Sequence, residues 1–202
     1  ERVKAYFNQT GYDLGVYAEQ ADLDRAKALY PALDDEEASE FIYRLPGTLE
    51  QGRTVLSRKE AELSALISDL GVWITDIPQD HPITGNPLNA EQLLQEQYKR
   101  REFTQSLERC WRQIPTESVT MSEYGFASTL PIMGELPVLT ADFSHVSEML
   151  LTSAGEIAPR ASRFLEYFPN LESLTVRNYQ LDNIPEAIFR MARLTALSLP
   201  EC

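Results

Sequence analysis

The sequence predicts an α+β fold: a helical domain built on a long antiparallel helix pair, followed by a short leucine-rich-repeat solenoid. Three observations carry that expectation. Leu171, Leu174, Val176 and Leu181 fall in the pattern L-x-x-L-x-L-x-x-N/C-x-L, and Leu194, Leu197 and Leu199 repeat it 23 residues later, with Cys202 in the Asn/Cys slot. Val146, Met149 and Leu151 keep the same internal spacing 25 residues before the middle copy. Upstream, two stretches ending at Pro78 and Pro115 place apolar residues every three or four positions, the helical period.

In chain order, residues 1–20 mix Tyr6, Phe7, Tyr12 and Tyr17 with two glycines and no clear period. With the short helices that follow, residues 1–47 read as the tail of an upstream domain. Leu23, Ala26, Leu29 and Tyr30 make one face of a first short helix, ended by Pro31, because proline disfavours helix in the residue before it. Asp34 is placed to cap a second one. Asp35, Glu36 and Glu37 complement its dipole, and Phe41, Ile42 and Leu45 supply its buried side before Pro46-Gly47. That acidic run is helix-start chemistry rather than a metal or catalytic carboxylate cluster.

Residues 48–115 predict the long helical hairpin. Thr48 starts a helix with Leu56, Leu63, Leu66, Ile67, Leu70, Trp73, Ile74 and Ile77 on its stripe, and Asn89 caps a second with Leu94, Tyr98, Leu107, Cys110, Trp111 and Ile114. The linker between them carries Asp80, Gly85, Asn86, Pro82 and Pro87, and Trp73 and Trp111 are the expected core anchors. From 116 to 145 the periodicity changes to a β-rich junction containing Val119, Met121, Tyr124 and Phe126, which would cap the first repeat.

Residues 146–202 form the repeats. Within one copy, positions 174 and 176 alternate on a short strand and point inward, while 171 and 181 bury the turns on either side. One unit leaves its apolar face bare, so the copies must stack. Tyr179 rather than Asn fills the polar slot of the middle copy, with Asn178 one residue early. The third copy stops at Cys202 before its return segment and the chain starts at Glu1, from which a piece of a longer protein is expected. Residues beside the inward positions project from the concave face on which solenoids bind partners. These are Leu150, Thr152 and Ser153 in the first copy, Ser173, Thr175, Arg177 and Asn178 in the second, and Ala196 and Ser198 in the third.

Composition supports a folded chain with a core: 43% hydrophobic and 24% charged residues. The net charge of −13 is spread along the chain and argues against nucleic acid or an anionic membrane as partner. Lys99, Arg100 and Arg101 form the only basic run and read as a solvated helix face. No apolar run reaches the roughly 18 residues of a membrane span. No cofactor or metal is expected. Cys110 and Cys202 lack metal spacing, and His81 has no ligand partner at suitable distance in the sequence. Asp142, Ser144 and His145 crowd within four residues, whereas a catalytic triad converges from separated elements. On an extended segment His145 would face away from the other two.

The residues also carry a resemblance. The stretch from Glu62-Leu63-x-x-Leu66 to Trp73-Ile74, then LERCWR at Leu107–Arg112, LPVLTADFSHV at Leu136–Val146 and the repeats resemble the central region of large bacterial effectors. Those proteins join a dermonecrotic-toxin-like N-terminal domain and leucine-rich repeats to a C-terminal novel-E3-ligase (NEL) domain, and the likeness spans roughly residues 20–202. It implies a virulence protein secreted into the host cytoplasm, or otherwise a soluble cytoplasmic one, in which this segment recognises a substrate or restrains the ligase. Its implied chemistry is ubiquitin transfer through a cysteine beyond the repeats. Cys110 does not match that site: Arg112 stands where the ligase motif has an acidic residue. The segment is therefore expected to bind protein rather than catalyse. Two other readings stay open, the C-terminal part of a toxin-like enzyme whose catalytic residues lie upstream, and a stand-alone repeat protein.

Overall fold

Helix-start chemistry decides where the helices of this chain begin, and the computed structural model shows it residue by residue. The structure describes residues 2–4, 16–114, 132–157, 163–180, 184 and 186–199, with side chains from 18 to 114, 132 to 149, 163 to 175, at 184 and from 186 to 199. Its elements are β1 (Arg2–Lys4), β2 (Val16–Glu19), α1 (Gln20–Leu29), α2 (Asp35–Arg44), α3 (Leu49–Thr75), α4 (Ala90–Trp111), β3 (Glu148–Ile157), β4 (Ser173–Gln180) and β5 (Ala196–Ser198). The result is a mixed fold of helices and a small parallel sheet in the order β3-β4-β5, with β1 and β2 paired antiparallel.

Three helices start with reciprocal side-chain caps, which satisfy amide donors that have no partner within the helix. Asp34 Oδ1 accepts from Glu37 N–H at 2.8 Å while Glu37 Oε2 accepts from Asp34 N–H at 3.0 Å. Thr48 with Gln51, and Asn89 with Gln92, repeat the exchange at α3 and α4. Gly47 has φ +88°, a left-handed conformation in which any side chain would run into the Gln51 amide that completes the cap.

The chain divides into two compact units, Glu1–Ala65 with Arg112–Ile114, and Leu66–Trp111 with Pro115–Cys202. In the first, β2 runs directly into α1, and Ala18, Leu23, Ala26, Ala38 and Ile42 form the core with Leu33 and Phe41 packed on it. The expected α1 face is buried in full, Leu23, Ala26, Leu29 and Tyr30 each being 5% exposed or less. Buried Asp22 is held by a two-oxygen contact with Arg53 at 3.0–3.2 Å. Arg112 donates to the carbonyls of Ala28 and Leu29, the orphan acceptors at the end of α1.

In the second unit, Leu66 and Leu70 of α3 and Leu107 and Trp111 of α4 are buried. A run of aromatic contacts, with ring centroids 4.9–5.6 Å apart, passes from Trp73 through Phe103, Phe164 and Phe168 to Phe143. Of the expected tryptophan anchors, Trp111 is fully buried, while Trp73 is half-buried at the start of the aromatic run.

Two expectations about α4 are corrected. Leu94 and Tyr98, expected on the core stripe, are 66% and 47% exposed, and the basic run is not a solvated face, because Arg100 is 1% exposed. The buried stripe instead runs Glu96, Arg100, Leu107, Trp111. The C-terminal half of the stripe is as expected, and the departure lies in the N-terminal half, where burial follows Phe103, Leu107 and Trp111 back by threes and fours onto a charged pair rather than onto Leu94. Ile67 on α3 is likewise outside its stripe, at 45% exposed.

The region before β3 is described only from residue 132, where it is irregular up to Ser147. Val119, Met121, Tyr124 and Phe126 lie outside the described residues, as do Tyr6, Phe7, Tyr12 and Cys202 and the side chain of Tyr17. At residues 142–146 the chain turns instead of extending: Asp142 Oδ1 accepts from Ser144 N–H at 2.8 Å, and Val146 N–H reaches Phe143 O at 3.1 Å. The alternation expected there for Asp142, Ser144 and His145 therefore does not apply.

Candidate interaction face

The parallel sheet reuses local construction from strand to strand. Met149 pairs with Leu174 and Leu174 with Leu197, and Leu151 pairs with Val176, so strand register follows the intervals of the leucine pattern. Two backbone bonds recur, each before two of the strands: Val146 N–H to Phe143 O before β3 and, 48 residues on, Leu194 N–H to Met191 O before β5; Phe168 N–H to Leu165 O before β4 and, 23 residues on, Met191 N–H to Ile188 O before β5. At the strand entries one carbonyl takes two amides. Ser147 O accepts from Glu172 and Ser173 N–H at 2.7 and 3.0 Å, and Glu172 O from Thr195 and Ala196 N–H at 2.9 and 3.1 Å. The longer first interval has a structural outlet: β3 carries an irregularity between Thr152 and Glu156, across which its offset to β4 falls from 25 to 23 residues.

Alternation along the strands separates two sides of the sheet. On one side lie Met149, Leu174 and Leu197, with exposures of 8%, 0% and 40%. On the other, the register aligns Glu148, Ser173 and Ala196 in one row and Leu150, Thr175 and Ser198 in the next. Ser173 and Thr175 are half-buried, and Glu148, Ala196 and Ser198 are exposed. Four of the expected face residues are thus brought side by side by the pairing. Thr152 and Arg177 pair in the third row. The side chains of Leu150, Thr152, Ser153, Arg177 and Asn178 lie outside the described residues.

Leu197 departs from the expected inward, buried position. The equivalent leucine of β4 is covered by β5, whereas among the described residues nothing covers the β5 side, and all three β5 residues are exposed.

The residues weighed for chemistry each have a definite structural setting. Burial pushes the Cys110 thiol up to about 12, so it stays protonated at neutral pH despite Arg109 and Arg112 nearby in sequence. His145 Nε2–H donates to the Trp111 carbonyl at 2.6 Å, and its ring packs edge-on to Trp111 with centroids 5.4 Å apart. That contact secures the end of α4 and takes the imidazole nitrogen a triad would need. His81 Nδ1 accepts from Ile83 and Thr84 N–H at 3.2 and 3.3 Å, a role in its own turn. Among the described residues no group of three or more His, Cys, Asp or Glu is placed to hold a metal ion, and no helix is long and apolar enough to cross a membrane. A shallow depression of about 150 Å³ opens between Glu135–Val138 and Arg163, Phe164 and Tyr167. It is below the range of roughly 300–1,000 Å³ usual for small-molecule sites.

Sequence reasoning missed the polar network beneath α4. Glu96 is fully buried; its Oε1 accepts from Met133 N–H at 2.7 Å and its Oε2 lies 2.7 Å from Lys99 Nζ. Arg100 spends its donors on the carbonyls of Trp73, Asp76 and Met133 at 2.6, 2.9 and 2.8 Å. Together these hold the segment entering the sheet region. The signal available was the four-residue spacing of Glu96 and Arg100 in phase with Phe103, Leu107 and Trp111. Comparison of the chain with protein-family models, curated proteins and solved structures finds no match.

Proposed function

We propose that the chain is a protein-interaction module whose working surface is the outward side of β3-β4-β5, the sheet being the inner lining of a leucine-rich-repeat solenoid. The observation that carries this reading is the alignment of Ser173 with Ala196 and Thr175 with Ser198 over a buried row at Met149 and Leu174. Short side chains in register leave the backbone approachable and offer hydroxyl donors and acceptors at strand spacing, which suits recognition of a protein surface. A catalytic reading has less support, because burial keeps the Cys110 thiol protonated at neutral pH and His145 Nε2 is engaged by the Trp111 carbonyl.

In the context implied by the resemblance to NEL-type effectors, this surface selects the host protein to be ubiquitinated or holds the ligase domain inactive. Transfer itself would belong to a cysteine outside these residues. The test is a Thr175→Arg/Ser198→Arg double variant, compared with the parent chain and with Tyr43→Arg, an exposed change in the other unit. Loss of a host-extract partner by the double variant alone, with circular dichroism unchanged, is the expected result. Equal retention by all three chains would overturn the proposal.

A further inference from the structure

We draw no further inference here: the strongest candidate, the outer edge of strand β5 with Leu197 exposed on it, is an apolar face for which nothing in the structure shows what covers it.

Discussion

Arg100 lies with its guanidinium 4.6 Å from the centre of the Trp73 ring and donates to the carbonyl of that same residue at 2.6 Å. One side chain thereby stacks on the aromatic and caps the end of α3, using the planar fork that separates arginine from lysine. Glu96 balances the charge from one turn away, with Oε1 3.5 Å from Arg100 Nε. Removing Arg100 would take a charged donor from three carbonyls at once and leave Lys99 as the one cation beside the buried Glu96 among the contacts described. Arg100→Ala is expected to cost about 3–5 kcal/mol, the usual penalty for breaking a buried pair, measured by urea unfolding. Arg100→Lys should recover only part of this, since an ammonium cannot reach three carbonyls and stack on the ring together.

The inner row of the sheet makes a second prediction. Leu174 is fully buried and Leu197 is 40% exposed although the two are paired neighbours. Leu174→Ala should cost about 2–5 kcal/mol through lost burial and the cavity left behind. Leu197→Ala should cost about 1 kcal/mol or less. Equal losses in thermal unfolding would show that the β5 leucine is covered.

Cys110 provides a pH test. Its thiol is raised from the ordinary 9.0 to about 12 by burial, so folded and unfolded chains are equally protonated below about pH 8. Above that the unfolded chain releases the proton first, and stability attributable to this group falls as pH rises from 9 towards 12. Iodoacetamide at pH 7.5 should label Cys110 slowly in the folded protein and rapidly in 8 M urea. Rapid labelling without urea would contradict the burial.

The reciprocal caps predict small, local effects. Asp34→Ala should destabilise the protein by about 1 kcal/mol, and Asp34→Asn by less, because an amide oxygen still accepts from the Glu37 N–H. Thermal unfolding of the two variants checks the order.

Much of this architecture was legible in the sequence, and the reasons differ by element. Caps are local, so Asp34, Thr48 and Asn89 announced the helix starts from their own residue types. Strand register was readable because the intervals of 23 and 25 residues between leucines are the intervals of the pairing. The orientation of α4 was not: Leu94 and Tyr98 are better apolar candidates than Glu96 and Arg100, and only three-dimensional partners, the carbonyls of Trp73, Asp76 and Met133, make burying the charged pair favourable. The contact of His145 is hidden from the sequence for a similar reason. Its acceptor, the Trp111 carbonyl, is 34 residues away in the chain. For the candidate face, alternation identified which strand positions share a side, but the exposure of Leu197 depends on what lies beyond β5, which strand periodicity does not encode.

Photo-crosslinking along β4 and β5 tests the central claim most directly. Benzoylphenylalanine is placed one position at a time at Ser173, Thr175, Thr195, Ala196, Leu197 and Ser198, and each chain is irradiated in host-cell extract. The account predicts one discrete adduct from 173, 175, 196 and 198, with 195 and 197 silent, a period-two footprint of a partner lying on the outward rows. Adducts of equal yield at every position, or none above an insertion at Tyr43, would contradict it.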